Sequence, residues 1–158
     1  MAVTSTKDIP IFYKFYFLWS DPLICLWAVY MDFFTPSVVV NAFIPSSIAP
    51  RNPQFDFLLQ QLGGALLMLA ILDVVLLRYS KDVMIWKILQ AATLTYDLAM
   101  LYSTYDALKS QGRLSFASMR PAEDWGNVGI TGLAVVVRSA FLLDVGMKGG
   151  KGRREKAI

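Results

Sequence analysis

The segment Val83–Asp106, VMIWKILQAATLTYDLAMLYSTYD, is long enough to cross a bilayer as a helix, yet it carries a carboxylic acid, Asp97, near its middle. About twenty largely apolar residues span the hydrocarbon core. An ionisable group at that depth is costly unless it faces a partner or a wet cavity. At about 100° per residue, Gln90, Thr93, Asp97 and Thr104 fall on one stripe, with Ile88, Leu89, Leu94 and Leu98 away from it or at its edges. The stripe predicts a protein interior, not a lipid face.

The rest of the chain agrees with a membrane setting. Hydrophobic residues make up 56% and charged residues 17% of 158 positions, and the apolar ones are grouped in long runs. One membrane domain over 1–158 is expected: an all-α bundle of four transmembrane helices over 11–34, 57–77, 83–106 and 124–145, with a basic, disordered tail at 146–158. The first apolar run is too long for a signal peptide and is expected to be a retained span. Asp21-Pro22 within it is also a helix-start signature, so that span could instead run Pro22–Phe43. Thr35–Asp56, with Pro36, Pro45, Pro50 and Pro53, is expected to be a connector.

Charge sets the orientation. Lys7, Lys14, Arg78, Lys81, Lys87 and the basic tail share one side, against Arg51, Lys109, Arg113 and Arg120 on the other, so both termini are expected in the cytosol. Trp19, Tyr79, Trp86, Tyr102, Tyr105 and Trp125 lie near span ends, as an interfacial belt requires. The chain ends REKAI, with Lys156 third and Arg154 fifth from the end. That approximates a dibasic endoplasmic-reticulum retrieval signal; a topology determinant or anionic-lipid contact is the other reading.

Chemistry is bounded by what is missing. There is no histidine, hence no His-ligated metal, triad or imidazole base, and one cysteine, Cys25, so no internal disulfide. No glycine-rich phosphate loop, metal-diphosphate motif or nucleophile elbow is present. Neither cofactor nor metal is expected, and no basic stripe with spaced aromatics points to nucleic acid. The acids carry what remains. Asp21, Cys25, Ala28 and Asp32 share a stripe of the first span, and Asp124, Asn127, Thr131, Ala134 and Arg138 share one of the last. Arg138 lies at roughly the depth of Asp73, so a structural Asp73–Arg138 ion pair or a snorkelling arginine is expected. Asp97 has no cation at its own depth, since Lys87 and Arg138 lie nearer the cytosol. It is expected to hold its proton, as a general acid, as a donor to a lipophilic ligand, or in a bond between helices. Asp32, Gln60, Gln61, Tyr102, Asp124, Trp125 and Asn127 gather at the far end, as a polar cavity mouth or as solvated caps, with Asp124 suited to an N-cap.

Four short spans, Met31-Asp32 followed by Pro36, Gln60-Gln61 opening the second span, a compact basic turn and a basic tail resemble the EXPERA superfamily, which includes the emopamil-binding sterol isomerases and the sigma-2 receptor. The patterns LQQLGGALLMLAILDVVLLR, YDLAMLYSTY and DWGNVGITGLAVVVR are closer still to a family of small fungal four-span proteins, some encoded in secondary-metabolite clusters. The resemblance implies an intramembrane cavity for a sterol- or terpenoid-sized molecule, with Asp32, Gln60 or Gln61, Asp97 and Asn127 as counterparts of the isomerases' proton-transfer residues. The chain departs from the isomerases in lacking histidine and in having Gln where the second span would carry an acid. The small membrane terpene cyclases of fungi, which protonate an alkene or epoxide with a carboxylic acid, offer a second analogy.

The leading expectation is an endoplasmic-reticulum enzyme of terpenoid or polyketide metabolism, performing acid-catalysed isomerisation or cyclisation. Asp97 would be the proton donor and Asp32 a second acid or base, with Gln60, Gln61, Tyr96, Tyr102, Trp125 and Asn127 binding substrate. Its partners would be a lipophilic small molecule, membrane lipid, and a second copy or other membrane enzymes. The alternative is a non-catalytic lipid- or sterol-binding or accessory protein.

Overall fold

A computed structural model describes residues 6–120 and 122–147, so the REKAI tail lies outside the described residues. Among those residues there are helices and no strand. The first helix, α1, runs Ile11–Phe34 without a break, as expected, and Asp21-Pro22 does not end it. Pro22 has no N–H to give the preceding turn. The chain answers with a π-helical turn over Tyr16–Ser20, in which the Asp21 N–H reaches back to Tyr16 O.

The expected connector contains a helix of its own, α2 (Pro36–Phe43). Thr35, at φ −132° and ψ 49°, breaks the chain, and Pro36 then occupies the first helical turn, where its missing N–H costs nothing. The prolines here start helices instead of forbidding them. Pro53 does the same for α3, Pro53–Tyr79, where the Asn52 side chain accepts from the Gln54 N–H at 3.0 Å. α3 has its own π turn over Leu72–Leu76, around Asp73. α4 spans Val83–Ser110, capped by Asp82, which accepts from the Met84 N–H at 2.8 Å. α5 spans Glu123–Leu142 and ends where Asp144 turns left-handed at φ 59°.

Three of these helices, α1, α3 and α5, are long and apolar enough to cross a membrane, with mean hydropathies of 1.2, 1.9 and 1.3. α4 is the longest, about 42 Å at 1.5 Å per residue. Its polar stripe lowers its hydropathy, and that stripe faces inward: Gln90, Thr93, Asp97 and Thr104 are all buried.

α1 packs along α3, and α4 along α5. At one end the two pairs close on an aromatic core in which Phe17 and Phe141 meet edge-on at 5.1 Å and Tyr13 meets Phe141 at 5.3 Å. Trp86 belongs to this core at 3% exposure, not to an interfacial belt, and its indole N–H reaches Ser80 O at 3.4 Å. Trp19, Tyr79, Tyr102 and Tyr105 are exposed as a belt requires.

At the other end α1 and α3 are in tight contact at Gly63. A Cβ there would meet Phe33 Cε2 at 2.8 Å and Asp32 Cβ at 3.2 Å, whereas one at Gly64 would meet nothing within 4 Å. Gly63→Ala is therefore expected to destabilise the fold by about 1–3 kcal/mol through overpacking. Gly64→Ala, mid-helix and unobstructed, is expected to be neutral or slightly stabilising. Thermal unfolding of the two variants in detergent checks the contrast.

Candidate functional site

The space left between the helix pairs is a cavity of about 300 Å³. Its floor lies on the aromatic core and is made of charge. Arg138, from the last turns of α5, reaches Asp21 Oδ2 at 2.7 Å through Nη2 and Asp97 Oδ2 at 3.0 Å through Nε. All three residues are at least 93% buried. One guanidinium thus ties α1, α4 and α5 together.

This arrangement corrects two expectations. Asp97 does have a cation, and the reason is directional. Helical side chains lean toward their helix's N-terminus, so Arg138 points back up α5, away from the near end of the bundle and toward Asp97. Arg138 consequently makes its bonds to Asp21 and Asp97, not to Asp73. Asp73, 1% exposed, accepts instead from Gln90 Nε2 at 3.1 Å, between α3 and α4.

The walls are largely apolar. Ile24, Cys25, Ala28 and Met31 of α1, Leu62, Leu66 and Leu69 of α3, and Ile130 and Ala134 of α5 surround the space. Tyr16, Trp27 and Tyr96 supply aromatic faces, and Asn127 and Thr131 supply polar ones. Val38, Val39, Ala42 and Phe43 of α2 form the roof.

Asp32 stands below that roof, 4% exposed, and its Oδ2 has no hydrogen-bond partner among the described residues. The Tyr96 hydroxyl is likewise without one. A buried polar atom left unpaired costs free energy. Asp32 and Tyr96 are therefore the places where a guest would repay contact.

The roof is held from outside the cavity. The last carbonyls of α2, Ala42 and Phe43, accept from Arg120 Nη2 at 2.7 Å and Gln111 Nε2 at 3.0 Å. Arg113 donates to Gln111 Oε1 at 2.6 Å and pairs with Asp124, which also accepts from the Arg120 backbone N–H at 2.7 Å. Asp124 is thus a buried anchor for the α4–α5 loop. The N-cap of α5 is Ala122.

Of the expected site residues, Asp32, Tyr96, Asp97 and Asn127 converge on the cavity. Gln60, Gln61, Tyr102 and Trp125 do not. Gln60 and Gln61 are exposed, on the side of α3 turned away from its Leu62–Leu66–Leu69 face. Tyr102, five residues beyond Asp97, lies about 140° around α4 and is 70% exposed. Trp125 packs on Phe116 at 4.5 Å. The residue sequence reasoning undervalued is Asp21. Its place on the Asp32 stripe was the available signal, obscured by the helix-start appearance of Asp-Pro.

Membrane-length apolar helices around a cavity with a charged floor and one free carboxyl define the class: an all-helical bundle with the helices of a membrane protein. A family model, Domain of unknown function (DUF7704), matches residues 6–148, and the chain belongs to that family. No curated protein and no solved structure matches it.

Removing the guanidinium should be far worse than removing the whole cluster. Arg138→Ala leaves two buried carboxyls unpaired and is expected to cost about 3–5 kcal/mol. Arg138→Met combined with Asp21→Asn and Asp97→Asn should recover most of that loss. Unfolding midpoints of the single and triple variants in one detergent check the order.

Proposed function

We propose that this DUF7704 protein is a four-span endoplasmic-reticulum membrane protein with both termini cytosolic. In this reading a lipophilic terpenoid or polyketide intermediate enters the cavity and undergoes acid-catalysed isomerisation or cyclisation. Several features support the setting. α4 turns its polar stripe inward and leaves Met84, Ile88 and Leu98 outside, as a fourth span would. The Lys and Arg distribution supports the orientation. Arg154 and Lys156 support the compartment. The EXPERA-like pattern supports a cavity-borne activity, and the lack of histidine directs it to a carboxyl acid.

The observation that carries the reading is Asp32, buried on the cavity wall with an unpartnered oxygen and no salt bridge among the described residues. It replaces Asp97 as the proton donor, because Asp97 is bound to Arg138. The Asp32 carboxyl proton adds to one alkene carbon, and positive charge develops on its neighbour. The faces of Trp27 and Tyr96 stabilise that charge. An adjacent C–H then returns its proton to the Asp32 carboxylate, moving the double bond and restoring the acid. Asp97 and Arg138 fix the floor against which the substrate is oriented.

A non-catalytic lipid-binding or accessory role is the second reading. It is favoured by the pairing of both Asp21 and Asp97 with Arg138, which leaves Asp32 without a second free carboxyl opposite it.

Deletion of the gene, followed by extraction and mass analysis, is expected to reveal an accumulated lipophilic intermediate. Re-expression of Asp32→Asn at wild-type level should leave that intermediate unconsumed, with a loss of about a hundredfold or more in turnover. Full consumption by Asp32→Asn would remove Asp32 as the acid and favour the binding role.

A further inference from the structure

The two ends of the cavity carry different unsatisfied groups. At the floor, Arg138 is 1% exposed, donates Nη2 to Asp21 and lies in ion-pair contact with Asp97 through Nε, while neither Nε nor Nη1 has a hydrogen-bond partner among the described residues. At the roof, Asp32 Oδ2 is in the same condition. Arg138 sits at the level of Asp21, and Asp21 and Asp32 are eleven residues apart in the regular part of α1. That places the two ends about 16 Å apart along the helix. Between them run Cys25, Ala28, Leu62, Leu66 and Ala134, together with Tyr96 and its unpartnered hydroxyl.

From this juxtaposition we infer the class of guest, on the reading that the cavity holds a lipophile: an elongated, uncharged molecule bearing an oxygen at each end. One oxygen accepts from Arg138 Nη1 and the other bonds the Asp32 carboxyl. A guest with a single polar end would leave one buried group unanswered, and sites built to bond an oxygen discriminate strongly against analogues that lack it. The floor also excludes an acid. Asp21 and Asp97 already place two carboxyls against one guanidinium, so a carboxylate brought to Nη1 meets a surplus of negative charge. A neutral hydroxyl, ketone or epoxide oxygen does not.

Equilibrium binding to the full chain in lipid nanodiscs tests this with four probes of one length, close to the span between the two ends. They are dodecane, lauryl alcohol, the corresponding α,ω-diol, and ω-hydroxylaurate, each corrected for partition into empty discs. The diol is expected to bind about tenfold tighter than lauryl alcohol, the worth of one further hydrogen bond to a charged or acidic group. ω-Hydroxylaurate should gain nothing over lauryl alcohol. Asp32→Ala should bring the diol down to the level of lauryl alcohol, and Ala28→Trp, which fills the cavity, should abolish binding of the diol. Equal affinities for diol and monoalcohol, or tighter binding of the carboxylate, would overturn the two-ended guest while leaving a lipophile-binding cavity standing. Binding of the diol that persists unchanged in Ala28→Trp would overturn the cavity as the site, and with it the proposed function.

Discussion

A single buried arginine determines how the interior of this protein can be used. Two buried carboxyls, Asp21 and Asp97, converge on one guanidinium, Arg138, at the junction of the helices. Charges removed from water are tolerated only when they are paired and hydrogen-bonded. Arg138 pairs with both Asp21 and Asp97, hydrogen-bonding the first, because it leans toward the N-terminus of α5 and arrives between α1 and α4. Its position fixes the distance between the helix pairs at that level. The aromatic core can close below it, and the space above it stays open.

The cavity follows from that spacing. α1 and α3 come into tight contact at Gly63, and α2 covers the far end under the hold of Gln111 and Arg120. The same layout divides the acids by role. Asp21 and Asp97 are committed to Arg138, Asp73 to Gln90, and Asp124 to the loop arginines. Of the acids that line the cavity, Asp32 is the one with no ion pair among the described residues, and its Oδ2 has no hydrogen-bond partner there.

Much of this is written in helical periodicity. The α4 stripe, the Asp21–Asp32 stripe of α1 and the Asn127–Arg138 stripe of α5 all turn inward, because amphipathic spacing is a local property that survives packing. Partner choice is not local, and there sequence reasoning failed. Depth along a span suggested Asp73 for Arg138, but side-chain direction sends the guanidinium to Asp21 and Asp97. Gln60 and Gln61 looked like a cavity mouth because they open a span, yet the phase of α3 is set by Leu62, Leu66 and Leu69. The prolines of the connector were weighed as breakers, whereas Pro36 begins the helix that roofs the site.

The central claim is that Arg138 occupies Asp97 and leaves Asp32 as the free acid. A lipophilic carbodiimide reads this directly, since it modifies protonated, unpaired carboxyls in apolar surroundings and spares carboxylates held by a guanidinium. Peptide mass mapping of the membrane-embedded protein after such labelling should place the adduct on Asp32, with Asp21 and Asp97 unmodified. An adduct on Asp97, with Asp32 untouched, would contradict the account.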